Sequence, residues 1–131
     1  MTTHGSVHDS KAKASVPSFK FQTLDCYRVA RELAAVVHRA GIRDAELRDQ
    51  ATRASKSAFL CLCEGLPNER ASMRQKYFVE ADNSLHETVG ACDLALAIGA
   101  LDAGSAAEVQ ALGLRLRRML RGLIRGRARA A

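Results

Sequence analysis

Four successive stretches of this chain carry apolar residues at three- and four-residue spacing, each bounded by a glycine or a helix-capping residue. That period puts the apolar side chains on one face of an α-helix, whereas a strand would need strict alternation. The first stripe is Tyr27, Ala30, Leu33, Ala34 and Val37, with Thr23 as its N-cap and Gly41 as its closing glycine. The second is Leu47, Ala51, Ala54, Ala58 and Cys61, capped by Asp44 and ended by Gly65 and Pro67. Its small side chains let a neighbouring helix approach closely. Ser72 with Gln75 is a capping-box pattern that opens a third helix, expected over 73–101, whose stripe is Tyr77, Phe78, Ala81, Leu85, Cys92, Ala95 and Gly99. Beyond Gly104, Ser105 with Glu108 is a second capping box. Val109, Leu112, Leu116, Met119 and Leu123 then repeat at heptad spacing, which suits a left-handed packed seam.

Four amphipathic helices with short connections predict an all-α, antiparallel up-down-up-down four-helix bundle. The bundle is expected over residues 19–126, between a disordered N-terminal tail at 1–18 and a basic C-terminal tail at 127–131. The third helix is longer than the first, so part of it overhangs, and an overhanging apolar end calls for cover by another subunit. Leu120 and Ile124 lie beside the heptad seam. They either widen the core stripe or face a second copy, and the sequence leaves both open. A chain of 131 residues is one domain by size. No stretch approaches the roughly 18 apolar residues of a membrane span. The opening MTTHGSVHDSKAKASVPS lacks the apolar run of a secretory signal, so the expected compartment is the cytoplasm.

Charge is divided unevenly along the chain. Residues 1–104 hold thirteen Lys/Arg and thirteen Asp/Glu, which cancel. Residues 105–131 hold seven arginines (Arg115, Arg117, Arg118, Arg121, Arg125, Arg127 and Arg129) and one acid, Glu108, so seven minus one supplies the whole net charge of +6. A basic helix on a neutral body points to polyanions, nucleic acid first among them. Arg117, Arg121 and Arg125 are four apart and share a face, with Arg118 near them. The bland alternative is that arginine, a good helix former, merely solvates an exposed face. Aromatics make up 5% of the chain, too few to read single strands by base stacking.

The residues that do chemistry are scattered. Cys26, Cys61, Cys63 and Cys92 show no CxxC spacing and lie in apolar helical pattern, so they are expected to be reduced thiols acting as small hydrophobes. No Glu-x-x-His pair, phosphate-binding glycine loop or nucleophile beside a histidine and an acid is present. The expectation is a protein that is not an enzyme, with no metal and no cofactor. Glu64 and Glu87 read as partners in an interhelix hydrogen bond or a cap, and His86 as exposed.

Four motifs in order carry a resemblance over about residues 19 to 125. They are Phe21-Gln22-Thr23-Leu24-Asp25-Cys26-Tyr27-Arg28-Val29-Ala30; then Arg53-Ala54-Ser55 leading to Glu64-Gly65; then Ala81-Asp82-Asn83-Ser84-Leu85-His86-Glu87; and finally Leu116-Arg117-Arg118-Met119-Leu120-Arg121-Gly122-Leu123-Ile124. In these the chain resembles the small four-helix bundle proteins encoded by intervening sequences of bacterial large-subunit ribosomal RNA genes. That group includes the accessory variability determinants of diversity-generating retroelements. The family usually carries Ile-Pro and Asn before an Ala-Glu-Gly. Here the stretch is Ala58-Phe59-Leu60-Cys61-Leu62-Cys63-Glu64-Gly65, so the second helix should lack a proline kink.

The resemblance implies a homopentamer of bundles forming a ring or barrel. It also implies binding of RNA or DNA, in partnership with a reverse transcriptase. In that reading the chain is a nucleic-acid-binding accessory protein that contacts phosphates through its fourth helix. The alternative is a homo-oligomeric protein-interaction scaffold with no nucleic acid. Membrane-surface binding by the basic amphipathic helix ranks below both, because the bundle needs that helix's leucine face.

Overall fold

The computed structural model describes residues 16–130, with side chains as far as Gly126. The expected tail at 1–18 therefore lies almost wholly outside the described residues. Among those described there are four α-helices, a single-turn 3-10 helix at Lys20–Thr23 and no strand. We label the helices α1 (Asp25–Arg39), α2 (Ala45–Gly65), α3 (Ala71–Ala97) and α4 (Ala103–Ala130). Each packs against two neighbours in the closed order α1, α2, α3, α4, with α2 against α3 the most extensive pair. Numbering runs in opposite directions across these contacts, Gln50 with Glu87 and Ser57 with Ser84 between α2 and α3, and Asp82 with Arg117 and Val89 with Gly113 between α3 and α4, so these neighbours are antiparallel. This is a four-helix bundle. Residues 127–130, read from sequence as a separate tail, continue α4.

The core is built from the predicted stripes, with their centres turned. On α1 the buried set is Cys26, Val29, Ala30, Leu33, Val36 and Val37. On α2 it is Ala51, Ala54, Ser55, Ala58, Leu62 and Gly65, small side chains that bring α3 close. On α3 it is Phe78, Ala81, Leu85, Thr88, Ala91, Cys92 and Ala95. Thr88 is buried with its donor satisfied, its hydroxyl donating to the Ser84 carbonyl at 2.8 Å. On α4, Val109, Leu116 and Leu120 are fully buried, while Leu112, Met119, Leu123 and Ile124 are only partly covered. Leu120 thus belongs to the centre of the core and not beside it. Strict heptad spacing had favoured Met119, but an undistorted helix of 3.6 residues per turn drifts off a 3.5 repeat.

The boundaries show which local signals win. Asp44 caps α2 by accepting from the Leu47 N–H at 2.9 Å. Gly41 closes α1 with φ of 66°, a left-handed value that favours glycine. Three expected boundary signals differ from the structure. Thr23 does not cap α1; Leu24 occupies that position, and the Thr23 hydroxyl donates to the Lys20 carbonyl to close the 3-10 turn. Ser72 lies inside α3, whose N-cap is Arg70. There the chain entry is fixed instead by Asn68, whose side chain accepts from the Arg70 N–H at 3.0 Å. Ser105 lies inside α4, and Asp102 takes the capping role, its Oδ2 accepting from the Ser105 N–H at 3.3 Å and the Ser105 hydroxyl at 3.2 Å. Accordingly α3 stops at Ala97, short of the expected 101, and the turn glycine is Gly99 with φ of 79°, not Gly104.

The helices differ in reach. At about 1.5 Å per residue, the 15 residues of α1 span far less than the 28 of α4. The second half of α4 therefore runs beside the first half of α3, past the start of α1, and the arginine-rich end of the chain lies on that projection.

Candidate nucleic-acid interface

Helical geometry sorts the arginines of α4 into groups. Arg117, Arg118, Arg121 and Arg125 are all exposed, and together with Leu114 they line one open groove. Their spacings of one, three and four residues put them within about a third of the helix circumference. The buried row Val109, Leu116 and Leu120 faces away from them, so the arginines can change without disturbing the core. Leu114 sits among them 51% exposed. Arg115 belongs elsewhere: it faces the α1–α4 groove, whose other lining residues include Asp25, Arg28 and Glu32. The side chains of Arg127 and Arg129 lie outside the described residues.

Among the described residues one carboxylate meets this surface. Asp82 on α3 lies 4.0 Å from the Arg117 Nε and 3.7 Å from the His86 Nδ1, beyond hydrogen-bonding distance of either through its Oδ1. That oxygen is buried and has no hydrogen-bond partner, so Arg117 and His86 answer it by charge and dipole alone. The His86 ring nitrogen Nδ1 sits 2.7 Å from the Asp82 backbone carbonyl. Arg117, 45% exposed, is thus anchored toward α3, while Arg118, Arg121 and Arg125 have no carboxylate within 4.0 Å among the described residues. Sequence spacing shows the Asp82–His86 pair at i and i+4, but the approach of Arg117 is a tertiary contact that no local pattern announces.

The same groove continues toward the α3–α4 turn as an apolar cleft lined by Leu85, Val89, Gly90, Gly113 and Leu114, with His86, Gln110 and Arg117 as its polar members. Gly113 is required by the closeness of the two helices: a Cβ there would lie 2.9 Å from Val89 Cγ2. The larger exposed apolar side chains on α3 are Val79, Leu94 and Leu96, with Ile98 just past its end; on α4 the one exposed is Leu114.

The other sequence candidates resolve quietly. Glu64 and Glu87 are both exposed, and Glu87 accepts a hydrogen bond from Gln50 across the α2–α3 contact. The four cysteines are free thiols. Burial pushes the Cys92 thiol up to about 11 and raises those of Cys26, Cys61 and Cys63 as well. Among the described residues no three His, Cys, Asp or Glu side chains gather closely enough to hold a metal ion. No described helix is long and apolar enough to cross a membrane. Neither any protein-family model nor any curated protein sequence matches the chain.

Proposed function

We propose that the protein is a non-enzymatic accessory protein that binds RNA or DNA through the exposed arginine face of α4. The observation that carries this reading is the convergence of Arg117, Arg118, Arg121 and Arg125 on one groove, where Arg117 alone of the four has a carboxylate, that of Asp82, within 4.0 Å among the described residues. Like charges at three- and four-residue spacing repel unless an anion sits among them. Arginine forks suit phosphate oxygens. Contacts to phosphates release counterions and read little sequence. Arg127 and Arg129 follow in sequence on the same helix, while Arg115 faces the α1–α4 groove. The resemblance noted above supports a homopentameric ring acting beside the reverse transcriptase of a diversity-generating retroelement in the cytoplasm. A ring would multiply a modest site by avidity.

A second reading rests on a different observation. Leu114 stands exposed in the middle of the arginines, and the cleft that runs from it along α3 is apolar. Apolar surface of that kind favours a homo-oligomeric protein-interaction scaffold. Titrating the protein against a duplex, a single strand and anionic vesicles across a range of salt separates the readings. The nucleic-acid reading expects steep salt dependence, indifference to base sequence and weak vesicle binding. Absence of duplex binding at low salt, with a stable oligomer by light scattering, leaves the scaffold.

A further inference from the structure

The neutral sum over residues 1–104 hides a second basic surface. The groove between α1 and α2 is lined by His38, Arg48, Asp49, Thr52, Arg53 and Lys56. On α2, Asp49, Thr52, Arg53 and Lys56 follow at helical spacing and so share one side of the helix, facing His38 from the last turn of α1. The cyclic packing order puts this α1–α2 edge opposite the α3–α4 edge that carries the arginine face.

The surrounding charges are mostly committed. Arg39 pairs with Glu32 at 3.6 Å. Arg43 donates to the Gly99 carbonyl at 2.7 Å and Arg48 to the Ile42 carbonyl at 3.0 Å. Asp44 is occupied as the α2 cap. What remains directed to the groove is Arg53, Lys56 and the His38 ring against a single acid, Asp49. Neither Arg53 nor Lys56 has a carboxylate within 4.0 Å among the described residues. Arg53 offers a planar fork, Lys56 a point charge, and Thr52 and His38 further hydrogen-bonding groups, the mixture that phosphate oxygens attract. The groove is open along the helices, which suits an extended phosphate chain better than a compact phosphate ligand needing enclosure.

We infer that the α1–α2 groove is a second phosphate-binding surface, taking the backbone of a second nucleic-acid duplex, so that one bundle holds two duplexes on opposite edges. This rests on the nucleic-acid reading above and adds bridging to it. The test loads the full-length protein onto a short immobilised duplex, then offers a second duplex carrying a fluorophore. The native protein should capture the second duplex. Arg53→Gln with Lys56→Gln, both exposed positions, should keep the native melting curve and the loading on the first duplex, yet lose second-duplex capture. The salt slope of any residual capture should fall by about 1.8, two contacts at 0.9 each. Undiminished capture by that variant overturns the inference, because bridging then comes from α4 faces on separate copies. Native protein that loads but captures no second duplex also overturns it and leaves the α4 reading standing. Failure to load at all overturns both.

Discussion

At Gly65 a residue reads one way in sequence and acts another way in the fold. Followed by Pro67, it reads as a helix stop, and α2 does end there. Yet its φ is not left-handed; only Gly41 and Gly99 have positive φ among the described residues. The demand is packing: a Cβ at Gly65 would lie 2.9 Å from Phe78 Cε1 and 3.0 Å from Tyr77 Cβ, and Phe78 is 0% exposed. Gly65→Ala should therefore cost about 1–3 kcal/mol by overpacking. By contrast Gly122→Ala, in an exposed helical position with nothing within 4 Å, should gain about 0.5–1 kcal/mol. Denaturant midpoints check both, and a neutral Gly65→Ala contradicts the tight α2–α3 contact. Cys92 makes the second residue-scale case. Its folded-state value of about 11 comes from desolvation. Because the thiolate is the reactive form, Cys92 should alkylate only as fast as the protein opens, after the half-exposed Cys61 and Cys63. A raised acid favours the neutral folded form, so this group's contribution to stability is present below the ordinary thiol value and declines above it. Mass-resolved alkylation of native protein at mildly alkaline pH tests the order.

At the scale of the element, α4 shows what periodicity can and cannot carry. The four helices, their order and the core faces of α2 and α3 were legible because apolar residues recur near 3.6 and glycines punctuate them, whereas the α1 stripe turns toward Cys26, Val29 and Val36. The start of α4 was not, since Ser105 with Glu108 and Asp102 with Ser105 offer the same three-residue capping geometry, and the backbone after Gly99 decides between them. Asp102 is held below its ordinary 3.8, first by the Ser105 hydroxyl and then by the Ser105 N–H. A carboxyl lowered in the folded state stabilises above its unfolded value, and that contribution is lost as pH falls through the folded one. Asp102→Ala should melt below the native protein at neutral pH, and the gap should close as pH drops below 3.8. A gap that persists in acid means the loss is not the ionised cap. The turned seam makes a sharper test. Leu120→Ala, at 0% exposure, should cost about 2–5 kcal/mol, and Met119→Ala, only partly covered, distinctly less. The reverse order would restore the heptad seam.

Across the whole molecule, charge was legible as a sum and illegible as a surface. The sequence assigned +6 to the last segment, but the fold divides it: Arg117, Arg118, Arg121 and Arg125 share one groove while Arg115 turns to the α1–α4 side. The α1–α2 groove stayed hidden because its cations cancel against distant acids in any count along the chain. The apolar width of α4 is largely absorbed within the bundle by Leu120 and the partly covered Leu112, Met119, Leu123 and Ile124, so the proposed ring rests on the resemblance. The most direct measurement of binding through α4 is the salt dependence of affinity for a short RNA or DNA duplex. It compares native protein with Arg118→Gln, Arg121→Gln and Arg125→Gln combined, Arg117 being left in place beside Asp82. With an unchanged melting curve, the variant should bind more weakly, and its slope of log affinity against log salt should be shallower by about 2.7, for three contacts at about 0.9 each on a duplex. Equal affinity at matched salt, or weaker binding with an unchanged slope, would contradict phosphate recognition by this face.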